Sequence, residues 1–73
     1  MTSNVKIREV LEFYKAKDIS IHLNLSSQAW LNGKIGEIYE DRFILIENKL
    51  GEMLIRFERI DGEDGIEPMR KQE

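Results

Sequence analysis

The apolar residues near the N-terminus recur with the period of a helix. Four of them stand at positions i, i+3, i+4 and i+7 of one helical face: Ile7, Val10, Leu11 and Tyr14. Charged residues of both signs occupy most of the other positions in this segment. The pattern predicts an amphipathic helix over residues 4–17 that packs its apolar stripe on the following part of the chain.

From residue 19 onward the pattern changes to strict alternation. Residues 19–25 read ISIHLNL, so aliphatic side chains alternate with Ser20, His22 and Asn24. This alternation is typical of an antiparallel strand that buries one face. Four further apolar runs between turns predict strands at residues 29–39, 42–47, 52–57 and 66–69.

Details of these runs indicate how the strands are arranged. Gly33 and Gly36 would weaken the second strand unless the chain bends there or another strand comes close. The third strand, residues 42–47, is nearly all apolar and is therefore predicted to be covered on both faces. We expect a short helical turn at 58–60 and a solvated acidic loop at 61–65.

One helix followed by five short strands predicts a mainly β fold. The expected architecture is an N-terminal helix and a five-stranded, strongly bent antiparallel barrel of the SH3-like kind, in a single domain over residues 1–73 with a polar tail at 70–73. Such a small core supplies only ~3–5 kcal/mol, so oligomerisation is expected to add stability.

The composition narrows the possible functions. The 73 residues include no cysteine and one histidine, which excludes disulfides and argues against thiolate or histidine metal sites. Without a phosphate-binding loop or a catalytic triad order, the sequence predicts neither an enzyme nor a cofactor. The net charge of −3 argues mildly against tight, non-specific RNA binding. Short apolar runs and the lack of a secretory signal predict a cytoplasmic protein with no membrane partner.

Short motifs in the chain resemble the Sm-like superfamily, which includes the bacterial RNA chaperone Hfq and the LSm proteins. Residues 31–35, LNGKI, look like the first Sm motif, in which a glycine separates two core aliphatics. Residues 55–60, IRFERI, look like the second, which usually reads aliphatic-Arg-Gly with a further aliphatic three residues later. Residues 43–48, FILIEN, and the helix that runs into residues 19–23 look particularly like Hfq.

This resemblance implies an Sm-like barrel that forms a ring. In the family, the fourth strand of one subunit pairs with the fifth strand of the next, and such head-to-tail contacts close when the rotation permits. We therefore expect a cyclic homo-oligomer of roughly five to eight subunits. The resemblance also implies single-stranded RNA as a partner.

The resemblance further implies where RNA would bind. The turn before the third strand supplies an acidic residue, Glu40 or Asp41, and Arg42 at the position of a stacking side chain. The second motif supplies Arg56 and, in place of the usual glycine, Phe57 as a residue on which a base could stack.

Two further positions complete the implied RNA site. Ile44 replaces an asparagine of the family pocket, so a site with fewer polar groups is expected. On the opposite face, His22 matches the position of a base-stacking tyrosine in Hfq.

Each of these interpretations has a structural alternative. Arg42 and Arg56 either contact RNA or form ion pairs with neighbouring carboxylates. His22 either stacks on a base or is a solvated strand position. Trp30 either belongs to a subunit interface or ligand surface, or packs beneath the N-terminal helix. Without an RNA site, the chain would be an Sm-fold scaffold or protein-interaction module.

Overall fold

The computed structural model describes residues 4–69, so the predicted tail at 70–73 lies outside the described residues. Helix α1 comes first and five strands follow: α1 Asn4–Ala16, β1 Ile21–Asn24, β2 Trp30–Ile38, β3 Arg42–Glu47, β4 Gly51–Arg56 and β5 Ile66–Pro68. Two short 3₁₀ turns lie between β4 and β5, at Phe57–Arg59 and Glu63–Gly65. The predicted helix and five antiparallel strands are confirmed, with ends that differ by at most two residues.

Helix α1 packs on the sheet through the predicted stripe. Ile7 and Leu11 are buried, and Val10 and Tyr14 are partly buried against the same core. The 13-residue helix leaves the opposite face to solvent.

Asp18 ends the helix in a left-handed conformation, with φ of 56°. Its N–H donates to the carbonyl of Lys15, and the N–H of Ile19 donates to the carbonyl of Tyr14, both at 3.0 Å. This pair of bonds is the Schellman arrangement, which satisfies carbonyls at the end of a helix and turns the chain sharply into β1.

The five strands form one antiparallel sheet in the order β4-β3-β2-β1-β5. Strands β4 and β5 are therefore the two edges, and within residues 4–69 they do not pair with each other to close a barrel. Beyond β1, Leu25 forms an isolated antiparallel bridge with Ile60. The sheet is open in a single chain.

Strand β2 is shaped by its two glycines in different ways. A Cβ on Gly33 would overlap the carbonyl oxygen of Ile46 and lie 2.8 Å from the Cα of Glu47, because β3 passes directly against it. The pairing of β2 with β3 shifts register between Ile35 and Ile38, a segment that includes Gly36. Gly33 thus permits a close approach, whereas the irregularity in the strand lies at Gly36.

The core lies between α1 and one face of the sheet. Its largest fully buried side chains come from the helix, from strands β1 and β3 and from the first 3₁₀ turn: Leu11, Ile21, Leu23, Phe43, Leu45 and Phe57. The prediction that β3 is covered on both faces is wrong for the single chain. Phe43 and Leu45 are buried, but Ile46 on the outer face is 44% exposed, because no second layer covers that face.

Within residues 4–69, no helix has both the length and the apolar character needed to cross a membrane.

Candidate nucleic-acid interface

The structure brings Arg42 and Arg56 together. They are directly opposite each other in the pairing of β3 with β4, at the beginning of one strand and the end of the other. Residues opposite each other in adjacent strands have Cβ atoms about 4.5–5.5 Å apart, and like charges in such a pair are destabilising. These two arginines, both predicted to belong to the RNA site, therefore form one positively charged patch beside an edge of the sheet.

Asp41 belongs to the same group. Its carboxylate is 3.0 Å from the Nη1 of Arg42, in an exposed ion pair. The N–H of Phe57 donates to the backbone carbonyl of Asp41 at 2.9 Å, which ties the β2–β3 turn to the end of β4. The guanidinium of Arg42 also lies 5.9 Å from the ring centroid of Tyr39. Arg42 thus has local partners on both sides.

Arg56 has fewer partners than Arg42. It is exposed, and among residues 4–69 no carboxylate lies within ion-pair distance of it. A small cleft of about 190 Å³ is lined by Asn4, Asp41, Arg56 and Glu58. Within residues 4–69, Arg42 therefore forms an ion pair, as the structural alternative predicted, whereas Arg56 does not.

Phe57 is not available to a base. Its side chain is 1% exposed and packs in the core, with its ring centroid 6.5 Å from that of Phe43. Strand β4 ends at Arg56, and the following 3₁₀ turn keeps Phe57 on the core side. The alternation of Met53, Ile55 and Phe57 was the sequence signal for this burial, since period-2 positions share one face.

His22 lies elsewhere in the sheet, on β1, between β2 and β5. Its Nδ1 is 2.6 Å from the Oδ1 of Asn32, the residue directly opposite on β2. Because an amide oxygen accepts, the hydrogen bond places a proton on Nδ1. His22 is half-buried and is separated from Arg42 and Arg56 by β2.

Trp30 is the most prominent aromatic residue on the surface. It is 59% exposed, which argues against the alternative in which it packs beneath the N-terminal helix. Its ring is 5.4 Å from that of His22, with an angle of 32° between the two planes. A cleft of about 360 Å³ lies beside it, lined by Trp30–Asn32 and by residues 47–50 of the β3–β4 turn. Of the alternatives that the sequence left open for Trp30, its exposure is compatible with a subunit interface or a ligand surface.

Glu47 fixes the β3–β4 turn. Its Oε1 accepts hydrogen bonds from the backbone N–H groups of Leu50 at 2.8 Å and Lys49 at 2.7 Å. These two bonds, that of Leu50 first, lower the pKa of the Glu47 carboxyl below its ordinary value of 4.5, because they stabilise the charged form.

A second groove follows the edge strand β4. It has a volume of about 390 Å³ and an apolar floor formed by Leu25, Leu31, Met53 and Ile55. The exposed side chain of Leu54 and two arginines, Arg56 and Arg59, also line it. Apolar side chains beside an unpaired strand edge are suited to contact with another chain.

The acidic segment between β4 and β5 gives no sign of metal binding. Among residues 4–69, no group of three or more histidine or carboxylate side chains is arranged to hold a metal ion.

Comparison with models of known protein families and with curated proteins gave no match.

Proposed function

We propose that this protein is a ring-forming Sm-like protein that binds single-stranded RNA without catalysing a reaction. The observation that carries the RNA part is the pairing of Arg42 with Arg56 across β3 and β4. The open sheet with two free edges supports the ring part. The Sm-like motifs at residues 31–35 and 55–60 connect the two.

The ring rests on the complementarity of the two edges of the sheet. Strands β4 and β5 each expose one row of backbone groups, so β5 of one copy can extend the sheet at β4 of the next. In β5 the N–H of Met69 bonds to Ser20 of the same chain. The backbone N–H groups of successive strand residues point to opposite edges of the strand. The backbone nitrogen of residue 68 therefore faces the free edge of β5, where Pro68 has no N–H to leave unpaired. The apolar groove beside β4 would receive side chains of the neighbouring β5.

Repulsion between Arg42 and Arg56 favours the binding of an anion. Two arginines opposite each other repel, and Asp41 compensates only Arg42 directly. An anionic ligand beside Arg56 would relieve that repulsion, and guanidinium groups bind phosphate oxygens in a bidentate manner. In a ring, each subunit repeats the pair, so one strand of RNA would meet several copies and gain effective concentration.

Binding at this position is expected to be modest and to have little sequence preference. Ile44 is apolar and Phe57 is buried, so neither offers a hydrogen bond or an exposed ring to read a base. Contacts would be mainly with phosphates, and such binding weakens as salt rises because counterions are released.

The experiment is a titration of short labelled oligo-U and oligo-A with the wild-type protein at low salt, followed by fluorescence anisotropy. We expect saturable binding that Arg56→Ala weakens several-fold. A Lys17→Ala variant is the matched control, since it removes one positive charge from an exposed position just beyond α1. Each lost phosphate contact should also reduce the slope of log affinity against log salt by ~0.7.

Two results would redirect the proposal. If Arg56→Ala and Lys17→Ala weaken binding equally, the effect is net charge and Arg42–Arg56 is not the site. If no RNA binds at low salt, the chain is an Sm-fold scaffold or protein-interaction module, an alternative that the burial of Phe57 and the Arg42–Asp41 ion pair favour.

A further inference from the structure

Asn32 is followed directly by a glycine, and no other asparagine of the chain has this neighbour. In such a pair the backbone nitrogen of the glycine can attack the side-chain amide carbon of the asparagine, because no Cβ hinders the approach. A bond forms between this nitrogen and the amide carbon, ammonia leaves, and a cyclic imide results. Water then opens the imide to aspartate, or to isoaspartate, in which the main chain runs through the former side chain.

We infer that Asn32 is a latent deamidation site, which the folded sheet protects and which reacts only when β2 separates from its neighbouring strands. The inference goes beyond the proposed function and does not depend on RNA. The isoaspartate product prevents the sheet from forming again in the same register. Deamidation at Asn32 is therefore an irreversible record that the centre of the sheet has opened.

Strands on both sides hold the backbone at this pair. Gly33 is opposite Ile21 of β1 and also opposite Glu47 of β3. The carbonyl of Asn32 accepts a hydrogen bond from the N–H of Asn48 at 2.9 Å. The extended conformation of β2 keeps the nitrogen of Gly33 rotated away from the Asn32 side chain. The imide cannot close until this part of β2 leaves the strand conformation.

The attacking nitrogen is itself engaged in the sheet. The N–H of Leu25 donates to the carbonyl of Ala29 at 2.9 Å, and hydrogen-bonded and non-hydrogen-bonded pairs alternate along an antiparallel ladder. Counted along the register from this pair, Gly33 and Ile21 are again a hydrogen-bonded pair. Gly33 is also buried, so hydroxide in the solvent does not reach its N–H to remove the proton.

The side chain of Asn32 is held as well. Its Oδ1 is 2.6 Å from the Nδ1 of His22, directly opposite on β1. The rotation that brings the amide carbon to the Gly33 nitrogen moves this oxygen away from His22. Protection therefore comes from the backbone conformation, the engaged nitrogen and the anchored amide together.

The fold requires the very glycine that makes Asn32 reactive. A Cβ on Gly33 would overlap the carbonyl oxygen of Ile46, because β3 passes directly against it. A bulkier residue, which would slow the attack, is therefore excluded by packing. The sheet both needs the reactive pair and shields it.

The two products differ in what they do to the sheet. Aspartate leaves the main chain unchanged, and its carboxylate can accept a charge-assisted hydrogen bond from His22. Isoaspartate adds a methylene group to the main chain in the middle of β2, between its ladders with β1 and β3. Residues on the two sides of it can then no longer keep the same register with both neighbouring strands.

The test compares native wild-type protein with the same chain unfolded in urea, both incubated in warm, mildly alkaline buffer. Cleavage after Lys17 and Lys34 gives one peptide that contains Asn24 and Asn32, and mass spectrometry locates the lost amide nitrogen. In the unfolded chain we expect the change at Asn32 before Asn24 or Asn48. In the native protein it should be at least ~10-fold slower, because only the opened fraction reacts.

Asn32→Gln is the matched control. It keeps an amide for His22 and leaves Gly33 in place, but its additional methylene disfavours closure of the ring, so deamidation at residue 32 should disappear in urea. The reacted wild-type chain is then separated by chromatography, diluted out of urea and followed by circular dichroism. We expect the aspartate fraction to refold as Asn32→Asp does, and the isoaspartate fraction to remain unfolded or to melt at a lower temperature.

Three results would overturn the inference. Equal rates in native and unfolded protein would show that the sheet does not protect Asn32. Equal reaction at Asn24 and Asn48 in urea would show that Gly33 does not select the site. An isoaspartate fraction with the wild-type spectrum and melting temperature would show that the reaction leaves no record in the fold. Since none of these measurements involves RNA, failure here leaves the proposed function standing.

Discussion

The rings of Phe43 and Phe57 lie 6.5 Å apart inside the core, which joins β3 to the turn that follows β4. Phe57 therefore contributes to stability and has no surface for a ligand. We expect Phe57→Ala to lower the free energy of unfolding by ~3–5 kcal/mol, because it leaves a large cavity. Urea denaturation measures this loss.

The matched control is Phe13→Ala, because Phe13 is 55% exposed on α1. Its effect should stay within about 1 kcal/mol, since substitutions of exposed side chains cost little. Equal losses in the two variants would contradict the buried position of Phe57.

Gly33 should not tolerate a side chain. In Gly33→Val, the new Cβ would overlap the backbone of Ile46 and Glu47, which cannot move without breaking the β2–β3 pairing. We expect a loss of ~2 kcal/mol or more in the free energy of unfolding. Thermal denaturation followed by circular dichroism checks this.

Gly36→Ala provides the comparison for Gly33. There a Cβ would lie 3.3 Å from the side chain and carbonyl oxygen of Ile44, a tight contact but not an overlap. Its melting temperature should fall less than that of Gly33→Ala. The reverse order would mean that β3 does not pass closest at Gly33.

Replacing Asp18 with glycine should stabilise the protein. Its φ of 56° is a left-handed conformation in which a Cβ is unfavourable, and glycine is the usual residue there. We expect Asp18→Gly to raise the free energy of unfolding by about 0.5–1 kcal/mol, as measured by urea denaturation.

Asp18→Asn separates conformation from charge. It also removes the exposed ion pair with Lys34, but asparagine tolerates the left-handed region. Its stability should remain within about 0.5 kcal/mol of the wild type. A clear destabilisation by glycine, with asparagine unchanged, would show that the helix end is held differently.

Glu47 should make the free energy of unfolding depend on pH in the acidic range. Its pKa is lowered in the folded chain by the N–H groups of Leu50 and Lys49, so the unfolded chain binds the proton more tightly. The stabilisation is therefore complete above the ordinary value of 4.5, and it is lost as the pH falls through the lower folded pKa. Glu47→Gln should be less stable than the wild type at neutral pH, and the difference should shrink below pH 4.5. A constant difference in urea midpoint across this range would contradict the role of its charge.

Assembly should depend on the groove beside β4. We expect light scattering of the wild type to give the mass of roughly five to eight chains. Leu54→Lys would place a charge beside the free edge and should shift the mass toward one chain of 8.6 kDa. Leu50→Lys is the control, since it alters an exposed leucine in the β3–β4 turn. A monomeric wild type at micromolar concentration would rule out the ring.

The site was only partly predictable from the sequence. The resemblance to the Sm-like family implied that Asp41, Arg42 and Arg56 share one site, and the observed register of β3 and β4 places Arg42 opposite Arg56. The resemblance also assigned Phe57 to this site by its position in a motif, whereas its place in the alternation with Met53 and Ile55 put it in the core. The sequence could not choose between a surface role for Trp30 and packing beneath the helix, because its exposure depends on where β3 stops pairing with β2.

By itself, the sequence determined the helix, the strands and the side that β1 buries, because periods of 3.6 and 2 residues are local properties of the chain. The order of the strands, the two free edges and the open sheet were decided by tertiary structure, since they depend on contacts between residues far apart in sequence. The same holds for the pairing of β1 with β5, which brings residues 21–23 beside residues 66–68. The cleft at Trp30 belongs to this second class, because its walls come from two segments that meet only when the sheet forms.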